Sequence, residues 1–254
     1  MSRFYLTLPS NSSMDYYPDN TVARYTTKLA NTVEVEGEWE VGLTEISFPS
    51  QVENVIEGYC YYDIYYDDRF LRRITMPGKH YKRMRRLIEN LHKEQREQMP
   101  LADHEPLLAQ FVYQEGRIRM NLHTRFVVQF SPDLAHLLGF EPDVTYRRNI
   151  SVAKQLPNMI GHAHSAYVYC DLLEHVAVGD TKAPLLRIVD NPSQKRGNVH
   201  RVLNPIQYVP LQKKCFDTME IYIMTDTGVP VPFLFGKSFA VLEFRRTVHP
   251  YFAI

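Results

Sequence analysis

The sequence predicts an all-β-dominated protein of the sandwich or jelly-roll type. Short apolar stretches recur along most of the chain, and Pro, Gly, Asn and Asp separate them as turns separate strands. Several stretches alternate cleanly, so that Ile221 and Ile223 share one face against Tyr222 and Met224. Many short strands with punctuating turns are typical of these two architectures. We expect strands over residues 3–8, 22–29, 38–48, 59–66, 69–75, 108–113, 117–122, 125–130, 166–176, 216–224 and 238–246.

The composition agrees with one β-rich domain that contacts other proteins. Of the 254 residues, 44% are hydrophobic and 23% charged, and a sandwich of this length can form a single domain. The chain has 17 Tyr and 13 Phe but one Trp, and Tyr is frequent both in strands and at protein contacts. Basic and acidic side chains number 29 each, so the formal charge is zero. Because proteins that coat nucleic acid carry a basic excess, any DNA contact must be local.

Cysteine usage and the N-terminal sequence indicate a cytosolic or nuclear protein that is not secreted. Cys60, Cys170 and Cys215 lie far apart and form no Cys-x-x-Cys pair, which argues against a disulfide scaffold. The first residues lack the charged-then-apolar run of a signal peptide. No stretch approaches the ~18 apolar residues that a membrane-spanning helix needs, so we expect no membrane contact.

Two helices interrupt the strands. Over residues 82–98, an apolar stripe of Met84, Leu87, Ile88 and Leu91 predicts an amphipathic helix with one inward face.

The second helix, residues 132–138, is predicted from its end signals. Ser131 is the N-cap, Pro132 occupies the first helical position, and Gly139 closes the C-terminus. Residues 77–140 are therefore expected to form helix, three strands, helix, as an insertion or an elaboration of one domain.

Two connections complete the expected organisation. Residues 114–116 and 123–124 fall between three consecutive strand candidates, as hairpin links do. Residues 190–214 are polar and are expected to form a loop.

A basic stretch before and within the first helix is the sharpest charge feature. It contains Lys79, Lys82, Arg83 and Arg86, and the last two lie off the apolar stripe. A solvated helix face is one interpretation, and contact with an acidic partner or with DNA is the other.

The Tyr-rich strand candidate at 59–66 carries rings on both faces. A solvated sheet face does not need Tyr59, Tyr61 and Tyr65 in line. Core packing beneath covering loops explains them in one interpretation, and a subunit interface explains them in the other.

The feature that most resembles an enzyme site is His162-Ala163-His164. Two imidazoles at this spacing share one face of a strand and can bind a metal. The metal-binding jelly rolls called cupins need a carboxylate only a few residues later, whereas nine residues separate His164 from Glu174. No Gly-x-Ser-x-Gly, Walker A or Gly-x-Gly-x-x-Gly motif is present. We therefore predict no catalytic residue, no metal site and no cofactor, with Cys60 and Cys170 in the core.

Several short segments follow one another along the chain, and their order is a more specific signal of family membership than any one segment. They are residues 4–13 (FYLTLPSNSS), 17–21 (YPDNT), 37–46 (GEWEVGLTEI), 131–140 (SPDLAHLLGF), 167–171 (YVYCD), 184–187 (PLLR) and 236–246 (GKSFAVLEFRR). The series resembles the penton proteins, the minor capsid proteins, of Polintons (also called Mavericks) and of adintoviruses. It runs nearly end to end, and it departs from the family at Glu243, where the family has His.

The resemblance implies a single jelly-roll capsid domain over residues 1–254. Such a subunit forms homopentamers at the five-fold vertices of an icosahedral virion whose faces consist of a double jelly-roll major capsid protein. Genes of this family lie in large DNA transposons that resemble integrated viruses, and packaged double-stranded DNA is the nucleic acid the basic stretch would contact. The family has no catalytic residues to carry over. A lectin-like or cytokine-like trimeric binding module and a cupin-type enzyme remain as alternatives.

Overall fold

The computed structural model describes residues 3–99, 106–147, 149–159, 165–190 and 197–247, and strands dominate these ranges. The elements are β1 (Arg3–Pro9), β2 (Arg24–Glu34), β3 (Trp39–Pro49), β4 (Tyr61–Tyr66), β5 (Arg69–Thr75), α1 (Met84–Gln98), β6 (Ala109–Gln114), β7 (Arg117–Leu122), β8 (Phe126–Phe130), α2 (Pro132–Leu138), β9 (Thr145–Tyr146), β10 (Ile150–Val152), β11 (Ser165–Cys170), β12 (Val176–Val178), β13 (Thr181–Ala183), β14 (Leu185–Asp190), β15 (Asn198–Val202), β16 (Tyr208–Pro210), β17 (Cys215–Met224) and β18 (Phe239–Arg246). The chain divides into two compact units, residues 1–52 with 163–254, and residues 53–162.

Two antiparallel sheets of the first unit enclose one hydrophobic core. One sheet has the strand order β1-β18-β3-β15, with β16 also paired to β3, and the other has the order β14-β11-β17-β2. The predicted alternation explains the core, because Ile221, Ile223, Leu242 and Phe244 are each 0% exposed while Tyr222 points outward.

The strand order of the first unit is that of a jelly roll. We number its main strands in chain order from 1 to 8, counting β15 and β16 as one because both pair with β3. The two sheets then read 1-8-3-6 and 5-4-7-2, which is the double-sheet arrangement of an eight-stranded jelly roll. The predicted fold class, an all-β-dominated single jelly roll, is therefore confirmed.

The second unit occupies the connection between β3 and β11 and has its own core. It contains α1, α2, a sheet of order β10-β7-β6 and a sheet of order β5-β4-β8-β9. The predicted stripe of α1 is confirmed, since Met84, Leu87, Ile88 and Leu91 are all buried in this core. Residues 77–140, which the sequence singled out, lie within this unit.

The end signals of α2 act as predicted. Ser131 accepts a hydrogen bond from the backbone N–H of Leu134 at 3.4 Å, and Pro132 opens the helix. Gly139 adopts a left-handed conformation with φ 81°, and a Cβ there would lie 2.4 Å from the carbonyl oxygen of Gln155. Only glycine fits this position, because both the backbone angle and the close approach exclude a side chain.

Three local expectations are wrong. The described part of residues 190–214, which was expected to be a loop, contains the strands β15 and β16 and the last residue of β14. β15 and β16 are short, and only one residue of each, Val199 and Val209, is buried, so they leave no alternating pattern in the sequence. The strand expected over 166–176 ends at Cys170, after which the buried Leu172 lies in a turn and the buried Leu173 forms only an isolated bridge with Leu211. Alternation alone cannot predict where pairing stops.

The third error concerns the link at His123-Thr124, which is not a hairpin. β7 pairs with β6 and β10, whereas β8 pairs with β4 and β9, so this link joins two sheets. The link at 114–116 is a true hairpin, because Gln114 pairs with Arg117 across Glu115 and Gly116. Both turn residues have positive φ, 52° and 79°, as a two-residue hairpin loop requires.

Candidate interaction surfaces

The four predicted contact residues of the basic stretch lie around the start of α1. We call residues 79–86 the basic segment. Lys79 forms an isolated bridge with Val55, and its Nζ lies 5.9 Å from the centre of the Tyr81 ring. Lys82 and Arg83 are exposed, and the helix begins only after Arg83, whose backbone is extended. Arg86 lies inside the first turn.

The first turn of α1 carries positive charge where the helix dipole is already positive. Arg83 makes no side-chain cap, and the first turn contains no acidic residue. Arg86 pairs with Glu89 at 2.8 Å on an exposed surface, which offsets one charge. Within the described ranges, Lys82, Arg83 and Arg85 have no ion-pair partner. Cations here are unfavourable by about 0.3–1 kcal/mol each, so the segment favours an added anionic group.

Of the three tyrosines predicted to form an interface, one lies in a turn and two lie in strand β4. Tyr59 lies before β4 and is 46% exposed. Tyr61 and Tyr65 lie on the outward face of β4, whereas Tyr62 and Ile64 on the other face are buried in the core of the second unit. The strand therefore begins two residues later than expected from the sequence.

Side chains of β5 cover the outward face of β4. The Arg73 guanidinium lies 3.7 Å from the centre of the Tyr61 ring and donates two hydrogen bonds to the Asp63 carboxylate, at 2.8 and 2.9 Å. The Tyr65 ring meets Phe70 nearly edge-on, with centroids 5.8 Å apart. Tyr61 and Tyr65 are thus held in place on a half-buried surface, and their use as a subunit interface stays a prediction.

The edge strand β5 is an exposed surface that sequence reasoning missed. Residues 69–73 are all exposed, including Phe70 at 60% and Leu71 at 45%. Among the described residues β5 pairs only with β4. Charged side chains at such an edge oppose uncontrolled pairing, while two adjacent exposed apolar side chains offer contact area. The signal in the sequence was the broken alternation of Arg-Phe-Leu-Arg-Arg.

The two buried cysteine thiols are unreactive because they stay protonated. Burial raises the pKa of Cys60 and of Cys170 to about 12, so both stay protonated at neutral pH, as their predicted core positions require.

The predicted absence of a metal site stays a prediction. His162 and His164 lie outside the described residues. In the part of the chain that is described, no cluster of His, Cys, Asp and Glu is placed to hold a metal. No helix in that part is long and apolar enough to cross a membrane.

Comparisons with known proteins give similarities to solved structures but no match to a protein family or a curated protein. The chain is similar to the crystal structure of selenomethionine-labelled mavirus penton protein, with a TM-score of 0.48 and 9% identity over 96% of this chain and 100% of that chain.

Proposed function

We propose that this protein is a structural capsid subunit of the penton type, which occupies the five-fold vertices of an icosahedral virion. One observation carries the proposal: most segments that resemble penton proteins supply jelly-roll strands. Residues 4–13 contain most of β1, residues 37–46 most of β3, and residues 167–171 most of β11. Residues 184–187 open β14, and residues 236–246 contain β18. These strands belong to both sheets, so the resemblance describes the framework of the fold.

In the proposed assembly five copies close a ring that contacts a double jelly-roll major capsid protein. A ring contact joins two different patches, so each subunit must present both. The surface of Tyr59, Tyr61 and Tyr65 with the exposed Phe70 is our candidate for one patch, because aromatic rings contribute large contact area at low rotamer cost. The role is structural, and we propose neither a catalytic residue nor a cofactor.

The basic segment is our candidate for an anionic contact. Its cations Lys82 and Arg83 are exposed, lack partners within the described ranges and lie at the positive end of α1. An acidic surface of a neighbouring capsid protein or packaged double-stranded DNA would offset this charge. Because the whole chain is neutral, such a contact is local and does not coat the nucleic acid.

The test is to co-express the protein with a double jelly-roll major capsid protein and to image the particles by cryo-electron microscopy. We expect density for this chain at the five-fold vertices. Fully closed particles that lack this chain would contradict the proposal. A stable trimer of the purified protein would favour the cytokine-like alternative.

A matched pair of variants tests the candidate patch in the same experiment. Tyr59→Ser with Phe70→Ser removes two exposed rings of the second unit, and we expect it to reduce vertex occupancy. The control Tyr16→Ser removes a ring that is 70% exposed in the first unit and should leave occupancy unchanged. Equal occupancy in both variants would exclude the patch. Urea unfolding of each purified variant checks that the fold is intact.

A further inference from the structure

A cleft of about 530 Å³ lies at the edges of the two jelly-roll sheets. Four consecutive residues of β14, residues 185–188, line it together with Val176 and residues 207–209 in and beside β16. Its size falls within the range of ligand-binding pockets in proteins. The lining includes the buried Leu186 and Val209, so part of the wall is apolar.

One wall of the cleft holds a cation in an unusual position. Arg187 pairs across the sheet with Val168, and the next pair on the same face is Val189 with Ala166. Because directly opposed residues of an antiparallel pair share a face, Arg187 points to the core side of the sheet. Val168, Val189 and Ala166 are all buried, so the aliphatic part of the Arg187 side chain starts from an apolar surface.

In the described part of the chain, one nitrogen of the Arg187 guanidinium lacks the hydrogen-bond acceptor that a buried N–H group requires. Its Nη1 is buried and, among the described residues, has no hydrogen-bond partner. A buried N–H of a charged group that donates no bond is costly, and the cost is removed when an acceptor is supplied. A guanidinium binds a carboxylate especially well, because its planar fork matches two carboxylate oxygens.

The edge of β14 offers a second kind of bond. In the described part of the chain, β14 pairs only with β11, so its other edge presents free backbone N–H and C=O groups. An added strand would run along the four cleft residues for roughly 13 Å, at about 3.3 Å per residue. An extended peptide can use this edge and the guanidinium together, because alternate side chains of a strand point to the same side.

We propose that this cleft binds an extended acidic segment of another polypeptide, which adds a strand to β14 and places an Asp or Glu carboxylate on Arg187. The apolar walls contact the neighbouring side chains of the segment. The partner is a peptide and not a nucleic acid, because the free strand edge and apolar walls match a polypeptide backbone. The inference does not depend on the proposed capsid role.

The test uses two labelled probes, acetyl-Thr-Val-Glu-Val-Thr-amide and the same peptide with Gln in place of Glu. Fluorescence polarisation measures their binding to the full chain. We expect the Glu probe to bind at least ~10-fold more tightly than the Gln probe, because only the carboxylate neutralises the guanidinium. Arg187→Gln should abolish this difference. The control Arg201→Gln, at an exposed arginine of β15, should retain it.

Amide hydrogen exchange locates the bound probe. On addition of the Glu probe, exchange of the residues 185–188 should slow while exchange of β1 stays unchanged. The comparison of the two probes on the unaltered protein needs no variant, so a folding defect of Arg187→Gln cannot obscure the result. Equal affinity for both probes, or no binding of either at about 1 mM, would overturn the proposal.

Discussion

At the scale of single residues, His92 links α1 to the neighbouring strand β6 through one hydrogen bond. Its Nε2 accepts the backbone N–H of Phe111 at 2.9 Å, so the ring is neutral in this arrangement. Burial, followed by the nearby charge of Arg96, lowers the pKa of His92 below its usual value of 6.5. Protonation would remove the acceptor and place a second cation near Arg96 in a partly buried position.

The lowered pKa makes a prediction about stability and pH. As the pH falls below about 6.5, the unfolded chain takes up a proton on His92 before the folded protein does, so stability present at higher pH is lost. We expect the urea-unfolding free energy to be lower at about pH 5.5 than at about pH 7.5. The decrease should be smaller in His92→Gln, which keeps an acceptor without the titration. His123→Gln, at an exposed histidine, is the control, and equal decreases in both variants would contradict this role.

Residue patterns in the sequence predicted the apolar core but not its polar members. Gln95 is 0% exposed although it follows the apolar stripe of α1. Its amide donates to the Tyr62 hydroxyl at 2.9 Å and accepts from the backbone N–H of Leu108 at 2.8 Å. A buried amide is stable only when such partners exist. Tyr62 is distant in sequence, so no local pattern could predict the hydrogen bond that makes this burial possible.

At the scale of elements, the long helices and strands with a clear apolar pattern were predicted well, and the shortest strands were not. α1 and β18 were predicted within two residues at each end, because a long apolar stripe or alternation has many positions to define it. β12, β13 and β16 have three residues each and were missed. Such strands exist because a longer neighbour or a hairpin partner pairs with them, as β3 does with β16, and this pairing leaves little trace in their own sequence.

At the start of α1, we predict that one double variant raises the stability of the isolated protein but impairs assembly. Replacing Lys82 and Arg83 with Glu places negative charge at the positive end of the helix. We expect the isolated protein to gain about 0.3–1 kcal/mol per residue in unfolding free energy. If the basic segment contacts an anionic partner, the same variant should form fewer particles or package less DNA. Urea unfolding, particle yield and DNA content measure the two effects.

The C-terminal end of α1 supplies the control. Arg96 lies in the last turn, where a cation is favourable, so Arg96→Glu should destabilise the isolated protein by a similar amount. It should leave particle yield and DNA content unchanged. A Lys82 and Arg83 double variant with normal particles and normal DNA content would support the solvated-face interpretation instead.

At the scale of the whole molecule, the sequence predicted the jelly roll more closely than the extent of its elaboration. Residues 77–140 stood out because helices interrupt strands there, whereas β4 and β5 resemble jelly-roll strands in their alternation. Both strands nevertheless pack in the second unit, where Tyr62, Ile64 and Ile74 join its core. Which of two cores an apolar strand enters depends on contacts distant in sequence, so the boundary at residue 53 was not predictable.

The two separate cores predict that the units unfold separately. The buried cluster of the first unit and that of the second unit share no residue, and each unit has its own sheets. A unit with its own core can fold alone, so we expect residues 53–162 to give a cooperative urea transition when expressed alone.

In the full chain, Leu137→Ala and Leu242→Ala each remove a side chain that is at most 1% exposed, one from each core. Each should cost about 2–5 kcal/mol and lower the midpoint of a different transition. Near-ultraviolet circular dichroism and tryptophan fluorescence distinguish the two, because Trp39, the single tryptophan, lies in the first unit. A fluorescence midpoint that shifts with Leu242→Ala but not with Leu137→Ala is the expected result. One transition that both variants shift equally would mean that the chain unfolds as a single cooperative domain.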